Sequence, residues 1–258
     1  MIEEKQELVS RIKQQVDEKK LLETAFSNTQ LIDKIIEKCK TQDIDWFIVI
    51  SGGEGIGKST LALNIYSYIC KKLNLPIIDT LSRTLIYDED EFLQFLVNVN
   101  PEEKNLPILL DEGANILFNR ESMNKYRHYI LKFFNVMRFL NCFVIITTPN
   151  IKFLDKNVRE HRIKSLFHIP ERGIFWYYNK SQIERMLAIE TQKRWIWIEP
   201  QVVGSFRVNP TLNTITTLFK QQYIKYFSKK VSSFLNKKLQ PETLNLEKIT
   251  FTTNQKKS

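Results

Sequence analysis

At 258 residues and 43% apolar composition the chain can bury one sizeable core, and with no long Pro/Gly/Ser linker or fixed-period repeat it reads as one main domain with appendages. Cys39, Cys70 and Cys142 lie far apart and lack the CxxC or Cys/His spacing of a zinc site or redox pair, which suits a reducing cytosol. The charged opening MIEEKQELVSRIKQQVDEKK excludes a signal peptide and no apolar run reaches the roughly 20 residues of a membrane span, so a soluble, cytoplasmic protein is expected.

The net charge of +9 is uneven, because from residue 211 onward nine lysines face only Glu242 and Glu247, a local +7 that leaves +2 for the rest. Lysines on a solvated helix and tail serve solubility as readily as they grip a polyanion such as nucleic acid.

In chain order, residues 2 to 24 and 28 to 40 read as two helices, the first polar with Ile2, Val9, Ile12 and Val16 along one side. They are expected as a docking or partner-binding appendage, residues 1–42, rather than core. DWFIVIS follows, an unbroken apolar run of the kind shown by strands buried on both faces of a parallel sheet. After a glycine-rich corner, KSTLALNIYSYICKKLN has helical spacing at Leu61, Ile65, Tyr68, Ile69 and Leu73. The alternation continues with a short strand at RTLIYD, an acidic-capped helix in DEDEFLQFLVN, the strand PILLDE, a long helix within 121–140 and the strand CFVIITT. A helix near FLDKNVRE, the strands KSLFHI and GIFWYY and the helix KSQIERMLAIE come next, then the aromatic, less regular WIWIEPQVVGSFRV. Residues 217–239 form an amphipathic helix, and the last dozen or so residues are expected to be disordered. Strands alternating with helices predict an α/β fold with a mainly parallel sheet flanked by helices over a main domain of residues 43–210, followed by a basic C-terminal helix and tail over 211–258.

The corner ISGGEGIGKST holds four of the seven glycines and matches GxxxxGK[ST], placed after a buried strand and at the opening of a helix. A glycine-rich turn with an incidental lysine would give the same letters; the flanking elements argue against it. Gly52, Gly53, Gly55 and Gly57 free the backbone to wrap its N–H groups around a phosphate, with Glu54 and Ile56 completing the loop. Lys58 would reach the β- and γ-phosphates of ATP, Ser59 would give a hydroxyl to Mg²⁺, and Thr60 packs or touches the α-phosphate.

PILLDEG puts Asp111 and Glu112 at the carboxyl end of a strand, the sheet edge to which DWFIVIS delivers the glycine loop. Asp111 would hold Mg²⁺ and Glu112 would polarise the attacking water, although a strand-end Asp-Glu pair can also cap a helix or line a turn. In ATPases with such a pair the next strand lies beside the P-loop strand and carries a polar sensor at its tip. Thr147 or Thr148 occupies that tip, with Asn150 nearby, and Thr148 is taken as the sensor. Hydrolysis also needs positive charge on the γ-phosphate, commonly an arginine from a neighbouring subunit; Arg120, Arg138, Arg159 and Arg162 follow the acidic pair, and Arg159 and Arg162 are preferred because they follow the sensor strand closely. A surface arginine held in an ion pair is the plainer alternative for each. His128, His161 and His168 read as ordinary surface or interface histidines, and Trp195 and Trp197 as sheet cover more than as base-stacking residues.

With these motifs in place, the stretch from LLDEGANILFNR through NVMRFLNCFVIITTPN to LDKNVREHRIKSLFHI resembles the FtsK/HerA branch of P-loop ATPases, and more closely the zonular occludens toxin-like and viral genome-packaging ATPases. The resemblance covers roughly residues 45–180. It implies a RecA-like P-loop NTPase that binds ATP and Mg²⁺, forms homo-oligomers and frequently rings, and either pumps DNA, expected to be double-stranded, or assists virion extrusion, in the host cytoplasm for a virus. Two departures stand out. The family often has glutamine at the sensor tip where this chain has Thr147-Thr148, and filamentous-phage relatives carry a membrane span that is not visible here, which favours packaging or DNA handling over extrusion. The expected function is an ATP-hydrolysing DNA motor, with a nucleotide-gated replication or partition factor of slow turnover as the alternative; the N-terminal helices are the candidate surface for a protein partner.

Overall fold

The run WFIVISG is apolar on both faces because both faces are covered. In the computed structural model, which describes residues 2–15, 23–113, 134–189 and 197–238, it forms strand β1 (Trp46–Gly52), buried along nearly its whole length. Alternate residues of a strand point to opposite faces, and the core divides accordingly. Ile48 and Ile50 join one apolar cluster, while Phe47 and Val49 join the other.

Six further strands complete one sheet: β2 (Leu85–Ile86), β3 (Pro107–Leu110), β4 (Phe143–Thr148), β5 (Ile163–Ile169), β6 (Ile174–Asn179) and β7 (Val202–Ser205). Their spatial order is β2-β3-β4-β1-β5-β6-β7. The five strands from β2 to β5 are parallel, whereas β6 and β7 turn back antiparallel. The mainly parallel α/β sheet predicted from the alternation is therefore present, and β4 lies between β1 and β3 as expected for an ATPase with a strand-end acidic pair. The carboxyl ends of β1, β3 and β4 share one edge.

One face carries helix α3 (Lys58–Leu73) together with α1 (Ile2–Gln15), α2 (Gln30–Gln42), α4 (Ile77–Thr84) and the first turns of the C-terminal helix. Helix α5 (Glu89–Asn98), the helical residues 134–139 and α6 (Lys180–Ile189) supply Phe92, Phe134, Met137, Ile183 and Met186 to the other face. Asp88 caps α5, its carboxylate accepting from Glu91 N at 2.9 Å.

The N-terminal helices differ from expectation. They are not set apart from the core: Leu8 and Ile12 of α1 and Ile32, Ile35, Ile36 and Cys39 of α2 are buried in the same cluster as α3. Their isolated polar sequences conceal this because only one narrow stripe of each is covered. The C-terminal helix α7 (Pro210–Lys238) begins seven residues before the periodicity suggests. Asn209 caps it, accepting from Leu212 N at 3.1 Å, and Pro210 sits at the first helical position, where a missing N–H costs nothing. Leu212, Ile215 and Phe219 then anchor it to the core. In place of the single helix expected near FLDKNVRE stand a 3₁₀ turn at Ile151–Phe153 and a π-helical turn at Val158–Arg162. Most of the helix expected within 121–140, Arg120, Trp195 and the tail beyond residue 238 lie outside the described residues.

Candidate nucleotide site

The loop leaving β1 must reverse direction before α3 begins, and two glycines make the turn possible. Gly52 has φ +151° and Gly57 φ +105°, a region side chains rarely adopt. A Cβ on Gly52 would meet the Ile169 carbonyl at 2.7 Å, and one on Gly57 would meet the Phe206 ring at 3.0 Å. Gly53, Glu54 and Gly55 are exposed, so the crest of the loop opens to solvent. Lys58 folds back across the loop, its Nζ donating to the Gly53 carbonyl at 2.6 Å. Burial pulls the pKa of this ammonium below the ordinary lysine value, while Asp111, Glu54 and Glu112 act in the opposite sense.

One residue into the helix, Ser59 Oγ donates to Asp111 Oδ1 at 2.8 Å. The two motifs, 52 positions apart in sequence, thus meet at one strand edge. Asp111 is buried. Glu112 has a left-handed φ of +56° that turns its side chain outward, and its carboxylate lies 3.6 Å from Lys220 Nζ of α7. A hydroxyl and a carboxylate side by side are the hard oxygen donors magnesium takes, so Ser59 and Asp111 fit that ion.

Strand parity separates the two threonines. Thr147 Oγ1 donates to Asp111 Oδ1 at 2.8 Å and accepts from Glu112 N at 2.8 Å. Thr148, expected at the sensor position, points to the other face and donates to the Asn150 carbonyl at 2.9 Å. The contact with the acidic pair therefore belongs to Thr147, because successive residues of β4 face opposite sides.

The two preferred arginines lie apart from this chain's own P-loop. Arg159 and Arg162 belong to the π turn that precedes β5, and β5 is parallel to β1, so both lie at the sheet edge opposite the P-loop. Arg162 pairs there with buried Asp45 at 3.0 Å and lies over the Phe134 ring at 4.9 Å. Lys164 shares the same carboxylate at 3.1 Å. Arg162 thus holds β1 and β5 together at their starts rather than standing beside the P-loop.

Three neighbours of the site carry no sequence motif. Phe206 packs beneath Gly57, and the segment around it is bridged to Phe26. Asn64 of α3 donates to the Arg207 carbonyl at 2.8 Å and to the Ala25 carbonyl at 3.3 Å, tying that segment to the P-loop helix. His168, read as an ordinary surface or interface histidine, pairs with Ser51 at 3.0 Å just before the loop and stacks on Trp197 at 3.8 Å.

A glycine loop after β1 opening a helix, an acidic pair just past the end of β3 and a polar tip on the intervening β4 define a RecA-like P-loop ATPase. A family model described as zonular occludens toxin (Zot) matches residues 69–199, just over half of the chain, and the chain belongs to that family. The matched part begins inside α3, after the glycine loop, and contains Asp111, Glu112 and Thr147. Among solved structures, the N-terminal domain of zonular occludens toxin from Neisseria meningitidis is similar with a TM-score of 0.37 and 15% identity, over 53% of this chain and 84% of that one. A RuvB mutant from Thermotoga maritima is similar with a TM-score of 0.36 and 12% identity, over 58% of this chain and 49% of that one. No curated protein matches the sequence. Among the described residues, no helix is long and apolar enough to cross a membrane.

Proposed function

We propose that the chain is an ATP-driven motor on double-stranded DNA, of the FtsK/HerA branch, serving genome packaging or translocation for a virus or mobile element in the host cytoplasm, as an assembly of identical copies. The observation that carries the reading is the junction of Ser59 and Asp111 beside Lys58, which brings the phosphate loop and the acidic pair to one edge. The N–H groups of Gly52 to Thr60 and the Lys58 ammonium take the β- and γ-phosphates. Ser59 and Asp111 would hold magnesium, which would supply positive charge to offset that of the phosphates. Glu112 orients a water and accepts its proton while the water oxygen bonds the γ-phosphorus and the bond to the β-phosphate oxygen breaks, giving ADP and inorganic phosphate. Thr147 fixes the acidic pair by bonding both its members.

The DNA half of the reading is supported by charge. Lys220, Lys225, Lys229, Lys230, Lys237 and Lys238 all fall on α7, a single helix rooted beside the site. Contacts of this kind go to backbone phosphates and weaken steeply with salt. The N-terminal helices, with α1 half exposed, are the proposed surface for a protein partner.

The test is ATP hydrolysis by the purified chain with and without duplex DNA at low salt, alongside Lys58→Ala. Stimulation by DNA, lost in Lys58→Ala and suppressed by added salt, supports the motor. Hydrolysis indifferent to DNA at low salt contradicts it.

A further inference from the structure

Phosphoryl transfer to water needs a positive charge near the γ-phosphate, and within one chain Arg159 and Arg162 do not supply it, because they lie at the far edge of the sheet. A different cation stands at the near edge. Lys220 Nζ is 3.6 Å from Glu112 Oε1. It also borders a cavity of about 120 Å³ whose walls combine the apolar Leu63, Leu85 and Leu109 with Ser59 of α3, with Asp111 and with Asn213 of α7. The cavity therefore adjoins the hydroxyl and carboxylate that fit magnesium.

An exposed Lys–Glu pair stabilises a fold by little, typically under about 1 kcal/mol, so stability is a poor reason for this contact. The helix that carries it, however, is held firmly on both sides of the lysine. Phe219, the preceding residue, is 3% exposed in the core. Three residues on, the Tyr223 hydroxyl donates to Asp88 at 2.9 Å, and the ring stacks on Tyr87 with centroids 5.1 Å apart. With both neighbours anchored, the Lys220 backbone is held in place, and its flexible stem can reach from Glu112 along the edge where Ser59 and Asp111 meet. A compact ammonium on such a stem suits a site where one charge must serve two oxygen partners.

We propose that Lys220 is the cation of the hydrolytic centre, supplied by the same chain, holding the Glu112 carboxylate in place while facing the γ-phosphate position. The inference rests on the ATPase reading above and adds α7 to the active site. It also gives the basic helix a direct link to nucleotide state: loss of the γ-phosphate removes one partner of Lys220, on the helix proposed to touch DNA.

The test compares Lys220→Ala, Lys220→Arg, Glu112→Gln and wild type by two readouts. The first is kcat for ATP. The second, which needs no turnover, is the ratio of calorimetric affinities for a non-hydrolysable ATP analogue and for ADP, both with magnesium. Lys220→Ala is expected to lower kcat by about tenfold or more and to lower the analogue-to-ADP preference by about tenfold with ADP affinity unchanged. Lys220→Arg should recover part of both. In a Glu112→Gln background, adding Lys220→Ala should still reduce the preference, because the contact with the γ-phosphate does not depend on the Glu112 carboxylate. Wild-type values in Lys220→Ala overturn the inference while leaving the ATPase reading intact, and so does a raised kcat, which would make the contact a restraint on Glu112. Failure of the wild-type chain to bind either nucleotide overturns both. The side chain is half exposed, 48%, so Lys220→Ala should melt as wild type does, and a lowered melting temperature with unchanged preference would mark a structural role instead.

Discussion

Replacing Thr147 by valine changes one hydroxyl to a methyl at a position 1% exposed, leaving the packing of β4 almost untouched. Two bonds go with the hydroxyl: the one donated to Asp111 and the one accepted from Glu112 N, each 2.8 Å long. A hydrogen bond to a charged group contributes about 1.5–3 kcal/mol, and an amide left without its acceptor costs about 1–3 kcal/mol when buried. Glu112 is exposed, which puts its amide at the low end, and the added methyl recovers about 1 kcal/mol of apolar burial. The net loss should be about 1–3 kcal/mol, or roughly 2–4 °C per kcal/mol in melting temperature for a chain of this size. The larger effect should be on turnover. With Asp111 held only by Ser59 and the left-handed turn at Glu112 unpinned, kcat should fall about 10- to 100-fold while affinity for magnesium-ATP changes less than about threefold. Steady-state kinetics and calorimetry on Thr147→Val and Thr148→Val measure this directly. Thr148→Val loses only a bond to the Asn150 carbonyl and should keep turnover within about threefold. Undiminished kcat in Thr147→Val, or a greater defect in Thr148→Val, would refute the reasoning.

Gly57→Ala forces a side chain onto φ +105° and against the Phe206 ring, and should weaken ATP binding about tenfold or more; calorimetry showing unaltered affinity would contradict the loop geometry. Arg162→Ala leaves Lys164 to hold Asp45 alone and removes the contact with Phe134, so urea denaturation should show a loss of about 1–3 kcal/mol, and an unmoved midpoint would tell against the pairing. Burial pushes the pKa of His168 down from 6.5 to about 4, so the folded state binds its proton less readily than the unfolded chain. The stabilisation is whole above pH 6.5 and is lost as pH falls towards about 4. A sealed ring would contribute about 3 kcal/mol, and partial exposure screens that to about 1–2 kcal/mol. Melting curves at neutral pH and near pH 4.5 should therefore diverge more for wild type than for His168→Gln, and equal divergence would remove the histidine from the account.

The parts of the site that sequence reveals are those whose chemistry and local geometry coincide. DWFIVIS announces a strand covered on both faces, the glycines after it announce a loop, and PILLDE delivers acids to the same edge because parallel strands share a direction. That direction was also the unused clue to the arginines: Arg159 and Arg162 precede the strand KSLFHI, so a parallel pairing places them at its start, away from the P-loop. Parity was harder. Thr147 and Thr148 are adjacent in sequence and face opposite sides, and apolar neighbours on both faces of β4 give no pattern that says which side holds Asp111. Lys220 could not be found at all, because its meeting with Glu112 depends on how a helix 108 positions later is laid across the sheet, which no local periodicity encodes. The start of α7 was legible in hindsight in Asn209-Pro210, a capping residue followed by the one residue that tolerates the first helical position.

The central claim is that the glycine loop and the acidic pair form one magnesium-nucleotide site. Isothermal titration of ATP with magnesium into wild type, Lys58→Ala and Asp111→Asn tests it most directly. The account predicts saturable binding to wild type, loss of about tenfold or more in affinity in Lys58→Ala, and in Asp111→Asn a selective loss of the magnesium dependence. Binding that persists unchanged in both variants, or its absence from wild type, would contradict it.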